Sequence, residues 1–401
     1  MKARFTIRTV PLAFAAVLTF GCWQGVVEPV DAPADISSFE QAPVALAWHE
    51  AARNLVAANR LSAPAAGRVY AALGVAQHRA VKQVDGTLII DENDSNGFGI
   101  GGRALYEARR GAVAGASARV LTFFFPAAEP SLAQLVSDQG SDGPGEVHPY
   151  FAQGEVVGRA AGDVMVVHVQ TDGFSAPWNG TVPTGPGIWT PTSLPPGAGM
   201  LPFVKPYFMA ANSQFRPAPP PAFMSGAFNT DLNEVLTRAQ NRTPAELTFA
   251  RQWDYPAGTY TPLGYWNDVA SDYVAASGLD ERAATEVFSL MHSAMFDALI
   301  ACWEAKYHYW LLRPSHANPA IPLAFTLPNF PAYPSGHSCA SAAGARVLAH
   351  YFPANAAELA GWVDEAGLSR ILAGIHYRFD VTSGQMLGTT VAEFALARGA
   401  R

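Results

Sequence analysis

The stretch from Arg282 to Trp310, RAATEVFSLMHSAMFDALIACWEAKYHYW, decides the fold class, because its apolar residues return at the three-and-four spacing of a helix over many turns. Downstream, Ser338 to Tyr351 and Ala356 to Ile371 carry the same period, and upstream it resumes near Asp231. Further back, residues 41–170 are also helical in pattern. Val44, Trp48, Ala51, Leu55 and Ala58 form one stripe, and Val69, Leu73, Ala76 and Ala80 form another behind a start at Ser62 and Pro64. Leu105 to Phe123 and Phe151 to Val169 give two more helices. Alternating β-branched runs with hairpin turns are nearly absent, so the expected class is all-α, built from packed helical bundles. No internal repeat of fixed period interrupts this pattern.

One segment breaks it. Between Pro177 and Pro221 lie twelve of the chain's 31 prolines, a density that forbids helix and central strand alike. Trp178, Ile188, Trp189, Phe203, Tyr207, Phe208 and Phe215 make it too apolar for a free linker, so it is expected to pack across the helices. The expected organisation is a signal peptide at 1–21, a linker at 22–40, an N-terminal helical region at 41–170, a Pro/Gly-rich packed connection at 171–225, and a C-terminal helical catalytic region at 226–401.

With 401 residues, 49% hydrophobic and 15% charged, the chain is long and apolar enough for a large core, and general disorder is excluded. A formal net charge of -7 argues against nucleic acid as the main partner, so any anion site must be a local concentration of cations. Lys2, Arg4 and Arg8 precede an apolar run from Val10 to Phe20, the order of a secretory signal. Export is expected, to the periplasm or outside the cell, and Cys22 after Gly21 allows lipid anchoring as the alternative to simple cleavage. No later stretch reaches the roughly 18 apolar residues of a membrane span. Cys22, Cys302 and Cys339 contain no C-x-x-C or C-x-x-C-H, which leaves a zinc ribbon, thioredoxin chemistry and covalent haem unsupported. Cys302 and Cys339 are expected as two buried thiols, with a disulfide open in an oxidising compartment.

Three clusters in the last hundred residues carry the chemistry. In KYHYWLLRP, Lys306 and Arg313 are seven apart, placing two cations on one helical face before Pro314 stops the helix. In FPAYPSGHS, Ser335 can cap the Ala-rich helix that follows, whose free N–H groups face any anion in front, with His337 beside them. The order Ser-Gly-His is not the G-x-S-x-G of a serine hydrolase. In SRILAGIHYRFD, Arg370 and His376 reach one point only if the helix breaks near Gly374. Asp380, four after His376, can then accept from one ring nitrogen and leave the other free as nucleophile or ligand. Alone, each is explained by a solvated face, a capped helix or a surface ion pair; together they supply what holds a tetrahedral oxyanion.

The combination resembles the signature K-x6-R-P, P-S-G-H, S-R-x5-H-x3-D shared by vanadium-dependent haloperoxidases, bacterial class A acid phosphatases and type 2 phosphatidic acid phosphatases. Lys306, Arg313, Pro314, Pro334, Ser335, Gly336, His337, Ser369, Arg370, His376 and Asp380 occupy every fixed position. The resemblance implies vanadate contacts from Lys306, Arg313, Ser335, Gly336 and Arg370, His376 as the vanadium ligand, and His337 as acid/base. Phosphate competes for such a site. Chain length resembles the exported haloperoxidase branch, whose substrates are hydrogen peroxide and halide. Trp303 and Phe330 stand where chloroperoxidase-type members carry aromatics beside the anion; core packing is the plainer account of both. The alternative is a soluble acid phosphatase, in which His376 attacks a small phosphoester to give a phosphohistidine and His337 protonates the leaving oxygen. His49, His78, His148, His168, His292 and His350 show no ligand spacing, His308 and His316 flank the cationic helix, and Asp91, Glu92 and Asp94 lack the spacing of a calcium loop.

Overall fold

The computed structural model describes residues 43–87, 100–143 and 146–401. The expected signal at 1–21, Cys22 with the linker 22–40, and the acidic run Asp91, Glu92 and Asp94 lie outside the described residues. Among the described residues there are thirteen α-helices: α1 (Val44–Ala58), α2 (Ala63–Thr87), α3 (Ile100–Phe124), α4 (Glu129–Gly140), α5 (Pro149–Thr171), α6 (Gly226–Asn241), α7 (Pro244–Gln252), α8 (Thr261–Ala276), α9 (Glu281–Tyr309), α10 (Pro314–Ala317), α11 (Gly336–Tyr351), α12 (Ala356–Leu372) and α13 (Arg378–Leu396). The described sheet is one antiparallel ribbon of β1 (Ser141–Gly143) and β2 (Glu146–Val147), so the fold is all-α.

Helix α9 is the axis of the molecule. Asp280 caps its start by accepting from the Ala283 N–H at 2.8 Å. Every residue from Val287 to Trp303 is buried, which requires neighbours on all sides; α1, α2, α3, α8, α11 and α13 supply them. One continuous core joins α1, α2 and α3 to α8, α9, α11 and α13.

The expected stripe on α1 is rotated by about one residue. Ala45, Trp48, His49, Ala52 and Val56 are buried, while Ala51 and Leu55 are half-buried and Ala58 is exposed. The cause is His49, a polar residue that belongs inside. Its ring stacks on Phe288 at 3.8 Å and its Nε2 bonds Gln77 Oε1 at 3.0 Å. Asn267 Nδ2 donates to His49 Nδ1 and to His292 Nε2, each at 2.7 Å, and Gln77 donates to Ser117 Oγ at 2.9 Å. Five helices, α1, α2, α3, α8 and α9, meet in this buried network, which holds both rings neutral. Burial, then His292 and Arg53, push the His49 imidazole well below its ordinary value; burial and Arg53 push His292 down to about 3.

Residues 172–225 form no α-helix, only a short 3-10 turn at Leu201–Phe203, and lie across α9. Their N–H groups need acceptors outside secondary structure, and α9 provides them. The buried Asp297 carboxylate accepts from the N–H groups of Tyr207, Phe208 and Met209 at 2.7, 2.8 and 3.3 Å. At the entry to this segment Asp172 takes a two-pronged bond from Arg68 at 2.6 and 2.9 Å.

Helices α3 and α5 touch backbone to backbone. A Cβ added at Gly158 would lie 2.1 Å from the Ala112 carbonyl oxygen, and one at Gly154 would lie 1.9 Å from that of Ala108. Neither obstacle is a flexible side chain, so Gly158→Ala must separate the helices and should destabilise the protein by about 2–4 kcal/mol in urea titration. The His49–His292 network gives a pH prediction. Both folded-state values lie below those of the unfolded chain, so the unfolded state binds more protons as pH falls from about 6.5 toward 3. Stability is complete above pH 6.5 and should decline on acidification, by up to about 1.4 kcal/mol per pH unit for each imidazole. Urea midpoints for wild type and His292→Gln, compared from pH 7 to 4, should converge at the acid end.

Candidate active site

The site assembles where the C-terminal end of α9, the N-terminus of α11, the α12–α13 turn and the irregular run from Phe330 to Pro334 meet. Lys306 occupies the last turn of α9 and Arg313 does not share that helix, contrary to the expectation of one face running to Pro314. The helix stops at Tyr309, and Trp310 turns the chain in the left-handed region with φ 50°. The physical reason is capture by the proline-rich segment: Trp189 N–H donates to Trp310 O at 2.6 Å, Leu312 N–H to Gly187 O at 3.0 Å, and Ile188 bridges to Leu311. Arg313 therefore approaches from extended chain.

Lys306, Arg313 and Arg370 are all fully buried. The Lys306 ammonium spends its three N–H groups on the carbonyls of Pro331, Ala332 and Pro334, at 3.0, 2.8 and 2.5 Å. Burial pushes it down to about 8. Arg313 donates to Phe330 O at 3.2 and 3.1 Å and to Ile375 O at 2.8 Å. Arg370 donates to Ser369 Oγ at 2.9 Å, Ala250 O at 2.9 Å and Asp254 Oδ1 at 3.2 Å. Burial lowers both guanidinium groups to about 10.

Helix α12 stops at Leu372 and the chain turns at Gly374, at φ 80°, where a side chain would meet Ile321 and the Pro322 carbonyl. This is the break that brings Arg370 and His376 together. Helix α13 begins two residues after His376, yet the bond to Asp380 forms, with His376 Nδ1 to Oδ2 at 2.8 Å; the same oxygen accepts from Tyr377 N–H at 3.0 Å. With Nδ1–H so committed, Nε2 presents a lone pair, met by Arg313 Nη1 at 3.0 Å. Burial first, then Arg313, Lys306, His337 and Arg370, hold the His376 ring well below its ordinary value. Burial lifts Asp380 to about 7 against the pull of Lys306.

Ser335 is the N-cap of α11 and its Oγ accepts from Ser338 N–H at 3.4 Å and Ser338 Oγ at 3.1 Å, leaving its own proton to give away. The Gly336 and His337 N–H groups, in the first turn, have no partner within the helix. Gly336 can have no side chain: a Cβ would sit 2.9 Å from the Trp303 ring. The His337 ring is half-buried, its Nε2 is buried without a hydrogen-bond partner, and burial and Arg370 hold it well below the ordinary imidazole value.

Trp303 and Phe330 form one wall, with ring centres 5.0 Å apart. Phe330 lies 5.2 Å from Lys306 Nζ and 5.1 Å from Arg313 Cζ, so both cations face the same ring. The wall is clamped from the proline-rich segment: Gly197 O accepts from Trp303 Nε1 at 3.1 Å and Tyr307 Oη at 2.7 Å, and Gly197 N–H donates to Asn329 O at 2.6 Å.

Asp254 escaped the sequence reading. It follows α7, 116 residues before the Arg370 it binds, and the backbone of Trp253 and Asp254 also faces the His337 ring. No spacing rule connects it to the motif. Gly197 has the same character. His308 is exposed, with Arg216 Nη1 3.4 Å from its Nε2, and His316 is exposed too. Cys302 and Cys339 are buried free thiols. Among the described residues no helix is long and apolar enough to cross a membrane.

The arrangement fits an oxyanion rather than a bare metal cation. Three buried positive groups face only the carboxylates of Asp254 and Asp380, a capped helix points its N–H groups inward, and the orphaned His337 Nε2 lacks the partner a buried polar atom requires.

Comparison with known proteins agrees. A family model described as the PAP2 superfamily matches residues 286–398. A non-specific acid phosphatase of Salmonella typhi is 29% identical over 210 residues, spanning 49% of this chain and 78% of the phosphatase. A bacterial vanadium-dependent iodoperoxidase superposes with a TM-score of 0.69 at 24% identity, covering 89% of this chain and 96% of that one. The holo form of a bacterial vanadium-dependent chloroperoxidase gives 0.67 at 16% identity, with 90% and 95% covered. The motif, its convergence in space and these matches together place residues 286–398 in the PAP2 superfamily, within an all-α fold like that of the vanadium haloperoxidases.

Proposed function

We propose that this protein is a vanadium-dependent haloperoxidase-like enzyme that oxidises halide with hydrogen peroxide. The observation that carries the reading is the aromatic wall. Trp303 and Phe330 line two of the buried cations with apolar surface, and the Gly197 carbonyl holds Trp303 in place, a wall that suits a weakly hydrated halide. When bound, vanadate supplies the Lewis-acidic centre that activates peroxide. His376 Nε2 would be the atom that holds it, in a tautomer fixed by Asp380. Arg313 and Arg370 would bind the anion with their guanidinium forks, Lys306 would act through its field from a cradle of carbonyls, and Ser335 Oγ and Gly336 N–H would donate from the helix end. His337, held well below the ordinary imidazole value by burial and Arg370, would take up and return the proton as the acid/base group. The basic and apolar start at 1–21 is part of this proposal as an export signal, with Cys22 as a lipidation point.

One observation favours a second reading, hydrolysis of small phosphoesters: an acid phosphatase is 29% identical over 210 residues, and the matched PAP2 segment, residues 286–398, holds both His337 and His376. His376 Nε2 would attack phosphorus and His337 would protonate the departing oxygen.

Vanadate and phosphate should compete for one site by calorimetry, since both are tetrahedral anions meeting the same donors. His376→Ala should keep the fold and lose roughly 10³-fold or more in turnover; near wild-type turnover would remove His376 from the mechanism. The two activities are separated by assaying iodide and bromide oxidation and phosphoester hydrolysis with and without orthovanadate. Halide oxidation that appears only with vanadate is expected. Phe330→His should fold and shift the pH profile or halide preference, and unchanged halide kinetics across pH would detach Phe330 from the halide site.

A further inference from the structure

Cys302 and Cys339 sit directly behind the anion site, on two helices that each carry part of it. Cys302 lies one turn before Lys306 on α9, and Cys339 lies in the turn of α11 that follows Ser335, Gly336 and His337. Both are fully buried, and the two side chains are neighbours across the packed α9–α11 contact. Cys302 Sγ donates to the Pro334 carbonyl at 3.6 Å, the same oxygen that accepts from Lys306 Nζ. One carbonyl therefore joins a thiol to a site cation. We propose that Cys302 and Cys339 are an oxidative modification site, a dithiol that hydrogen peroxide converts to a disulfide and that weakens anion binding when bridged. The effect on binding rests on the anion-site reading above; the bridge itself does not.

The chemistry balances without another reagent. The Cys302 thiolate attacks one peroxide oxygen, the O–O bond breaks, and hydroxide leaves and takes a proton to become water. The sulfenic acid so formed is attacked by the Cys339 sulfur, the S–S bond forms and a second water leaves. Two thiols are oxidised and one peroxide is reduced. Cys302 suits the first step by position: its sulfur lies against the Pro334 carbonyl that also holds Lys306, so a thiolate formed there has the ammonium's charge close by. Bridging fixes the two sulfurs at about 2.05 Å from each other and removes the S–H that Cys302 gives Pro334. Because α9 and α11 are close-packed, the first turn of α11 is drawn toward α9, and the Gly336 and His337 N–H groups lose their aim relative to Lys306.

The test uses the full chain without vanadate, with inorganic phosphate as the probe. Excess hydrogen peroxide should remove two titratable thiols, lower the intact mass by two hydrogens and yield a peptide joining Cys302 to Cys339. Phosphate affinity should fall roughly tenfold, about 1.4 kcal/mol, and return on reduction. Cys339→Ala should bind phosphate like wild type and keep that affinity after peroxide. Surviving thiols, sulfinic acid without a bridge, a bridge with unchanged phosphate affinity, or equal loss in Cys339→Ala would each overturn the proposal. Failure of the reduced protein to bind phosphate would instead overturn the anion-site reading and, with it, the bridge's effect on binding.

Discussion

Lys306, Arg313 and Arg370 are withdrawn from water in one place, and among the described residues the carboxylates facing them are Asp254 and Asp380, the latter itself raised to about 7. Burying charge without full pairing is costly, and a protein retains such a cluster only where other dipoles share the burden or a ligand completes it. The sharing is done by backbone carbonyls. Phe330, Pro331, Ala332, Pro334, Ile375 and Ala250 each turn an oxygen toward one of the three cations. Carbonyls within a helix are already committed to the next turn, so this solvation has to come from irregular chain or from helix ends.

That requirement accounts for the composition of FPAYP. Proline at 331 and 334 cannot donate and resists helix, so the run stays extended with its oxygens unspent, and Lys306 collects three of them. Immediately afterwards Ser335 caps α11 and the chain changes from a source of acceptors to a source of N–H donors. Positive side chains are thus stabilised from behind by carbonyls, while the helix end faces the anion space. Phosphoryl transfer and peroxide activation both need such a preorganised field, which is why one set of residues serves two chemistries and residue identity alone does not divide them.

The all-α class was legible because a three-and-four period over long runs has one common solution, and the motif was legible because it lies in short windows of sequence. The break at Gly374 was also readable, since Arg370 and His376 cannot meet otherwise. What escaped was set by partners distant in the chain. The end of α9 at Tyr309 is decided by Gly187 to Trp189 pairing with Trp310 to Leu312, where local pattern alone favours continuing to Pro314. The α1 stripe was misplaced because a pattern of apolar residues gives His49 no reason to be inside; Phe288, Asn267 and Gln77, on three other helices, give it one. Asp254 is invisible for the same reason.

Helix α9 links these pieces into one device. His292 ties it to the five-helix network, Asp297 holds the proline-rich segment by three N–H groups, Trp303 and Tyr307 grip that segment again at Gly197, and Lys306 enters the site. In chain order His292, Asp297, Trp303, Lys306 and Tyr307 follow one another at steps of five, six, three and one along one rigid rod, so the aromatic wall and the cation beside it are fixed to the same frame as the segment that covers them. The proline-rich chain has no secondary structure of its own to hold its shape. Its geometry over the site is therefore inherited from α9, and a substitution at Asp297, far from any reacting atom, acts on the site through the placement of Gly197 against Trp303 and Phe330.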